Sequence, residues 1–344
     1  MKKSLSTGRA AAAVLAFAGL TGVAAAQPAG TPQRGGPQQP DFSKVEIHTL
    51  KVQGNIYMLV GAGGNITVQV GNDGVLIVDT EYAQLSDKIL AALRKISDKP
   101  LRYIIDTHYH ADHTSGNANL RKAGATIAGG NVAGDLGAEA SEGAAIIAHN
   151  NVLDRMSGEK GSPATPQDGW PTDTFIGDEK KLWFNNEGIE IIHPHNAHTD
   201  GDSIVYFRRS DVISTGDIFV TTSYPIIDVA GGGTINGVLD ALQQIIDRII
   251  PVYGQDGGTL VIPGHGRLCD FGDVLNYREM TTIIRDRIQD MINKGMTLEQ
   301  VKAAKPTADY DPLYGSSSSF WTTDRFVEAV YRTLKPTKSG DQKK

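Results

Sequence analysis

From about residue 43 onward the chain alternates apolar and polar residues with period two, the spacing of strands with one buried face. Val45 to Val52, Ile56 to Val60, Ile66 to Val70 and Val75 to Val78 are short aliphatic runs broken by Gly-Asn and Asn-Asp-Gly turns, which predicts an antiparallel meander. The period then changes. Ile89, Leu90 and Leu93 fall on one stripe of a helix that Ser86 can cap, and Leu101 to Ile105 reads as a buried strand. The second half repeats the style, with strands near Ala145 to Ala148, Ile189 to His193, Ser203 to Phe207 and Val212 to Ser214. A helix over Val238 to Ile250 and a strand over Leu260 to Ile262 follow. The tail, Val274 to Thr333, reads as helices with Lys294-Gly295 as a stop signal. Two β-rich halves with helices outside predict stacked sheets covered on both faces, an α/β (α+β) class of fold.

The N-terminal pattern is different in kind. Lys2, Lys3 and Arg9 precede an apolar run from Ala10 to Val23 and then Ala24-Ala25-Ala26, the order of a secretory signal cleaved after Ala26. The run of about 14 residues is short of the roughly 20 that a membrane-spanning helix needs. The expectation is a secreted or periplasmic protein with no membrane span after cleavage. Residues 27–42, rich in Pro, Gly and Gln at their start, read as a flexible leader, and residues 43–335 as one domain with a C-terminal helical extension.

Composition narrows the chemistry. A net charge of −6 offers no basic face for nucleic acid, so small-molecule chemistry becomes the default. Cys269 is the only cysteine, which rules out an internal disulfide, and stability must come from packing, to which a metal could add.

At the end of the Leu101 to Ile105 strand stands Thr107-His108-Tyr109-His110-Ala111-Asp112-His113. Extended backbone points His108 and His110 the same way, and a turn just after them can bring Asp112 and His113 alongside. One short loop thus offers four ligands of the kinds zinc prefers. A lone histidine at a strand end is usually a satisfied polar residue, but clustered imidazoles and a carboxylate desolvate and repel one another unless a cation compensates. Three later segments place ligand-type residues in glycine-bearing turns: His198-Thr199-Asp200-Gly201, Thr215-Gly216-Asp217 and Pro263-Gly264-His265-Gly266. Each alone is an ordinary turn, and only their order makes a pattern.

That order, His-x-His-x-Asp-His, then His-Thr-x-Gly, Gly-Asp and Gly-His, with Val-Asp-Thr upstream at Val78 to Thr80, resembles the metallo-β-lactamase superfamily over roughly Val45 to Asn293. The resemblance implies an αββα sandwich with two Zn2+ ions, iron being possible, at one edge between the sheets. It implies one zinc on His108, His110 and His198, a second on Asp112, His113 and His265, and Asp217 bridging them. The reaction implied is hydrolysis of an acyl bond (ester, lactone, thioester or β-lactam) by a hydroxide held between the zincs, with Asp112 and Asp217 as the catalytic carboxylates. The cysteine-bearing lactamases have Cys where Asp217 stands, so the site looks more like thioesterases and lactonases. A periplasmic β-lactamase proper and an iron-dependent oxidoreductase on the same scaffold are the alternatives.

Of the other candidates, Asp79 matches a buried aspartate that orients a ligand loop in that family and equally fits a strand-end turn. His193 and His195 lack the Thr-x-Gly that follows His198, His48 and His149 read as structural, and Cys269 reads as a small buried thiol. Two stretches beside the motifs, 124–143 and 223–233, are expected either to contact substrate or to be surface excursions.

Overall fold

The computed structural model describes residues 40–125, 143–250 and 258–335, so the signal segment, most of the leader and the interior of the 124–143 stretch lie outside the described residues. Among the described residues, one sheet has seven strands in sequential order: β1 His48–Lys51, β2 Ile56–Val60, β3 Ile66–Gly71, β4 Gly74–Val78, β5 Leu101–Ile105, β6 Ala145–His149 and β7 Asp173–Phe175. The first four pair antiparallel, the expected meander, and β4 through β7 pair parallel. A second sheet holds β8 Glu179–Phe184, β9 Glu187–Ile192, β10 Ile204–Phe207, β11 Val212–Ser214 and β12 Leu260–Ile262, ordered β12-β11-β10-β9-β8, with β11 and β12 parallel.

Strand alternation builds the layers. Leu76, Val78, Ile105 and Ile147 of the first sheet meet Ile191, Val205, Phe207 and Ile262 of the second in one buried cluster between the sheets. Their neighbours face the other way: Ile77, Ile104 and Ile146 pack with Ile89 and Leu93 of the helix Ser86–Ile96, while Ile192, Ile204, Ile213 and Val261 pack under the helices Ile235–Ile246 and Phe271–Asn293. Successive residues are thus buried on opposite faces, the mark of sheets covered on both sides. Each such aliphatic side chain contributes roughly 1.5–3 kcal/mol of burial. Among the described residues no helix is long and apolar enough to cross a membrane.

Local differences from the pattern have local causes. Ser86 does not cap: a 3-10 turn over Ala83–Leu85 runs straight into the helix, and the Ser86 hydroxyl donates back to Ala83 O at 2.8 Å. The helix expected over Val238 to Ile250 begins earlier, at Ile235, because the Thr234 side chain accepts from Gly237 N. Strands β7 and β8 are additions, and β8, Glu-Lys-Lys-Leu-Trp-Phe, is an edge strand that turns only Leu182 and Phe184 toward the core. The stop at Lys294-Gly295 is present, with Gly295 at φ +77°, where glycine is favoured.

Candidate metal centre

Four turns at the C-terminal ends of β5, β9, β11 and β12 carry the chemistry. Past Ile105, the backbone of Thr107 donates to Asp79 Oδ1 at 2.8 Å and its hydroxyl donates to Asp79 Oδ2 at 2.8 Å. Asp79 sits at the end of β4 with φ +65°, a strained value that aspartate tolerates better than most residues. It is buried, and it also accepts from His113 Nδ1 at 2.8 Å. Asp79 is therefore the buried support of the ligand loop rather than only a turn residue. His113 follows His110 by one short helical turn over Ala111–Thr114, which turns Asp112 and His113 back toward the strand end.

The parallel pairing of β11 with β12 places the two later turns side by side. Gly216 has φ +51°, and Gly264 lies so close to Asp217 that an added Cβ would fall 2.1 Å from Asp217 Oδ1. Asn65, from the first sheet, clamps the His265 turn. Its backbone donates to Gly264 O at 2.7 Å and its side chain to Pro263 O at 2.9 Å and Gly266 O at 3.1 Å. On the loop after β9, Asp202 accepts from Thr199 N at 2.8 Å and from the Thr199 hydroxyl at 2.6 Å, and burial pushes its carboxyl up to about 7.

The structure brings all seven singled-out residues together. His108, His110 and His198 form one group, Asp112, His113 and His265 another, and His108, His113 and Asp217 a third between them, with ligand atoms in each group within 4.8 Å of one another. Asp217 Oδ1 lies 3.3 Å from His113 Nε2 and 3.5 Å from His265 Nε2, while Oδ2 lies 3.8 Å from His198 Nε2. Asp112 Oδ2 is 3.3 Å from His265 Nε2. His108, His113, His198 and Asp217 are buried; the side chains of His110, Asp112 and His265 are about a quarter exposed and flank the opening.

Hydrogen bonding decides which ring nitrogens face inward. The Thr107 hydroxyl spends its proton on Asp79, so it accepts from His108 Nδ1 at 3.0 Å, and His108 Nε2 is left buried with no partner. His198 Nδ1 donates to Ile226 O at 2.7 Å and His110 Nε2 donates to Asp228 Oδ2 at 3.1 Å. With both protons committed elsewhere, His198 Nε2 and His110 Nδ1 face each other as lone pairs 3.0 Å apart. Such an arrangement repels unless a cation sits among the donors, and the nitrogen and oxygen set is the one zinc or iron takes. Burial holds His108 well below its ordinary pKa and brings His198 down to about 4, so both stay neutral and able to ligate. At His113 burial pulls the same way, but Asp217, Asp112 and Asp79 outweigh it and raise the imidazole. The field that favours a proton there favours a metal ion equally.

The remaining histidines stand apart from these groups. His149 ends β6 and accepts from Asn151 N, and its ring stacks on His193 at 3.6 Å. His195 is largely exposed beside Asp178, and His48 lies on β1, whose residues are all exposed. Cys269 is buried in the helix-side core, donates to Arg267 O at 3.2 Å, and is pushed up to about 12 by burial. Cys269→Ser keeps a donor for that carbonyl, so metal content and turnover should match the unsubstituted protein. Loss of one metal ion per chain, read by elemental analysis, would make the thiol a ligand.

Two loop expectations divide. The described ends of the 124–143 stretch sit at the wrong end of the sheet to flank the ligands: Ala125 N donates to Leu101 O at the start of β5, and Ala125 bridges Gly143. His108 lies seven residues beyond Leu101, some 20 Å for extended chain. The 223–233 stretch is at the site, and its role there is support, through Ile226 O and Asp228. Asp228 also accepts from the Tyr109 hydroxyl and, through Oδ1, from Gly231 N. Asp228, Thr107, Asn65 and Asp202 carry no sequence signal of their own, although Asp202 directly follows the His-Thr-x-Gly motif.

A family model described as the metallo-beta-lactamase superfamily matches residues 59–265. The metallo-beta-lactamase type 2 of Bacillus cereus is 22% identical over 211 residues, 60% of this chain and 68% of that protein. An alkyl/aryl-sulfatase of Saccharomyces cerevisiae is 33% identical over 321 residues, 83% of this chain but 49% of that protein, so this chain spans about half of that relative's length. Among solved structures, the stereoselective inverting sec-alkylsulfatase Pisa1 from Pseudomonas sp. superposes with a TM-score of 0.57 at 15% identity over 83% of this chain and 50% of that one, a likeness of fold alone.

Proposed function

Because this chain belongs to the metallo-beta-lactamase superfamily, we propose that it is an exported, dinuclear zinc hydrolase acting on an acyl bond of a small molecule. The observation that supports this reading best is the inward convergence of lone pairs. His108, His110 and His198 on one side, and Asp112, His113 and His265 on the other, each offer three donors, and one Asp217 oxygen faces each side. Seven donors exceed what one tetrahedral ion can use.

Bound zinc supplies Lewis-acid polarisation of the scissile bond and lowers the pKa of water to near neutrality, so no separate protein base is needed. The chain's own residues do the rest. Asp112 is the more exposed carboxylate of the group; burial opposes its ionisation, but His113 and His265 outweigh that and hold it ionised, so Oδ2 can accept a hydrogen bond from an attacking water at the opening and orient it. Asp79 and Asp228 hold His113 and His110 by their outer nitrogens, and Ile226 O does the same for His198. These contacts fix the direction in which each donor points.

A second reading is hydrolysis of a sulfate ester, favoured by the share of this chain that matches the alkyl/aryl-sulfatase. A panel of lactone, thioester, carboxylic ester, β-lactam and alkyl sulfate, run on protein purified without chelator, separates these substrates. Exhaustive chelation should abolish turnover and lower Tm, and two equivalents of Zn2+ should restore both, because an ion bound only by the folded state stabilises it. Turnover that survives metal removal, or one tightly held iron with oxygen-dependent turnover, would overturn the zinc hydrolase reading.

A further inference from the structure

The family match ends at residue 265, yet the chain continues through three helices of six or more residues, Phe271–Asn293, Leu298–Ala303 and Thr323–Leu334. These helices and the turns between them form an extension that grips the tripeptide Ser223-Tyr224-Pro225. Tyr277 donates from its hydroxyl to Ser223 O at 3.1 Å, and Trp321 Nε1 donates to Pro225 O at 3.1 Å. Tyr224 is buried, its ring stacked on Phe326 at 4.7 Å, with its hydroxyl 2.9 Å from Asp311 Oδ1 and 3.1 Å from Thr307 O. Every residue of the chain that makes these contacts lies beyond the family match.

The very next residues hold the metal site. Ile226 O accepts from His198 Nδ1, Asp228 N donates to His198 O at 3.0 Å, and Asp228 Oδ2 accepts from His110 Nε2. A backbone anchored at Pro225 has little freedom one residue later, so the carbonyl that fixes the tautomer and orientation of His198 is set by Trp321 and Tyr224. We infer that the C-terminal extension is a brace for the three-histidine half of the metal centre, with Trp321 and Tyr224 acting as positioning residues through Ile226 and Asp228. The other half, Asp112, His113 and His265, is held mainly by Asp79 and Asn65; the segment before the gripped tripeptide reaches it only through backbone bonds, Thr221 N to His265 O at 3.1 Å and Gly264 N to Phe219 O at 3.0 Å.

This inference rests on the reading that His108, His110 and His198 hold a metal ion. The test uses the full chain and a double variant, Trp321→Phe with Tyr224→Phe, which keeps an aromatic ring at each place and removes the indole N–H and the phenol hydroxyl. Tyr331→Phe serves as control, because that hydroxyl also ties the extension together, to Met296 O at 3.1 Å, without touching the 223–228 loop. Zn2+ affinity is read by competition with a chromophoric chelator, and site geometry by the visible bands of the Co2+-substituted protein. The double variant should bind one of its two ions about tenfold more weakly, the lower end for loss of an outer-shell contact, with the other ion unchanged and the Co2+ bands altered. The control should bind both ions normally. Unchanged affinity in the double variant, or equal weakening in the control, would overturn the brace while leaving the hydrolase reading intact. Failure of the unsubstituted chain to bind Zn2+ would overturn both.

Discussion

Asp217→Asn is expected to fold, to hold its second metal ion weakly, and to lose at least about a hundredfold in hydrolysis, the order found when a feature that positions a catalytic metal is removed. The geometry explains the size of the effect. Oδ1 of Asp217 faces His113 and His265 while Oδ2 faces His198, so one carboxylate addresses both ligand groups with one oxygen each. His265 and His113 outweigh burial and hold that carboxyl well below its ordinary range, and it is charged where two cations would repel. An amide of the same shape has one oxygen, no charge, and an N–H2 pointing at a group of lone pairs. The turn itself has no need of the acid, since Asn is well tolerated in turns. A variant with two zincs per chain and full turnover would remove Asp217 from the site.

Asp79→Asn should act from outside the ligand set and almost as strongly. The left-handed backbone at Asp79 suits Asn, and one amide oxygen can still accept from Thr107 N, so folding should survive. The nitrogen replacing Oδ2 becomes a donor toward His113 Nδ1, where the present contact needs an acceptor. His113 then takes its proton on Nε2, the atom that faces His265 and Asp217 at 3.3 Å, and its lone pair is turned away from the metal. Metal affinity at that half should fall 10- to 100-fold, with the three-histidine half less affected. Equal affinity at both halves, measured by chelator competition, would show that Asp79 supports the strand end and not the ligand.

Much of this was legible along the chain because it is local. Period-two runs define β2, β3, β4 and β5, whose neighbours bury opposite faces, and the spacing of His108, His110, Asp112 and His113 needs only one strand end and one helical turn to make a ligand cluster. The motif turns at His198, Asp217 and His265 were legible only in combination, since each alone is an ordinary turn. Ser86 misled because a capping residue is read without knowing that a 3-10 turn precedes it. The chain leaves the role of the 124–143 stretch open, and its described ends lie at the start of β5 because the helix Asn117–Lys122 carries the backbone back from the ligand loop.

The sequence by itself determined the residue types that can bind metal, the strand and turn that present the first four of them, and the apolar periods that make two sheets. Only the tertiary structure decided which partner each donor meets. Parallel pairing of β11 with β12 sets Asp217 beside His265 across 47 intervening residues, and stacking of the sheets brings Asn65 onto the His265 turn. Asp228 under His110 and Trp321 on Pro225 are of the same kind. These contacts join side chains or carbonyls far apart in the chain, and nothing in the local spacing of a lone Asp, Asn or Trp records the direction in which a packed core will point it.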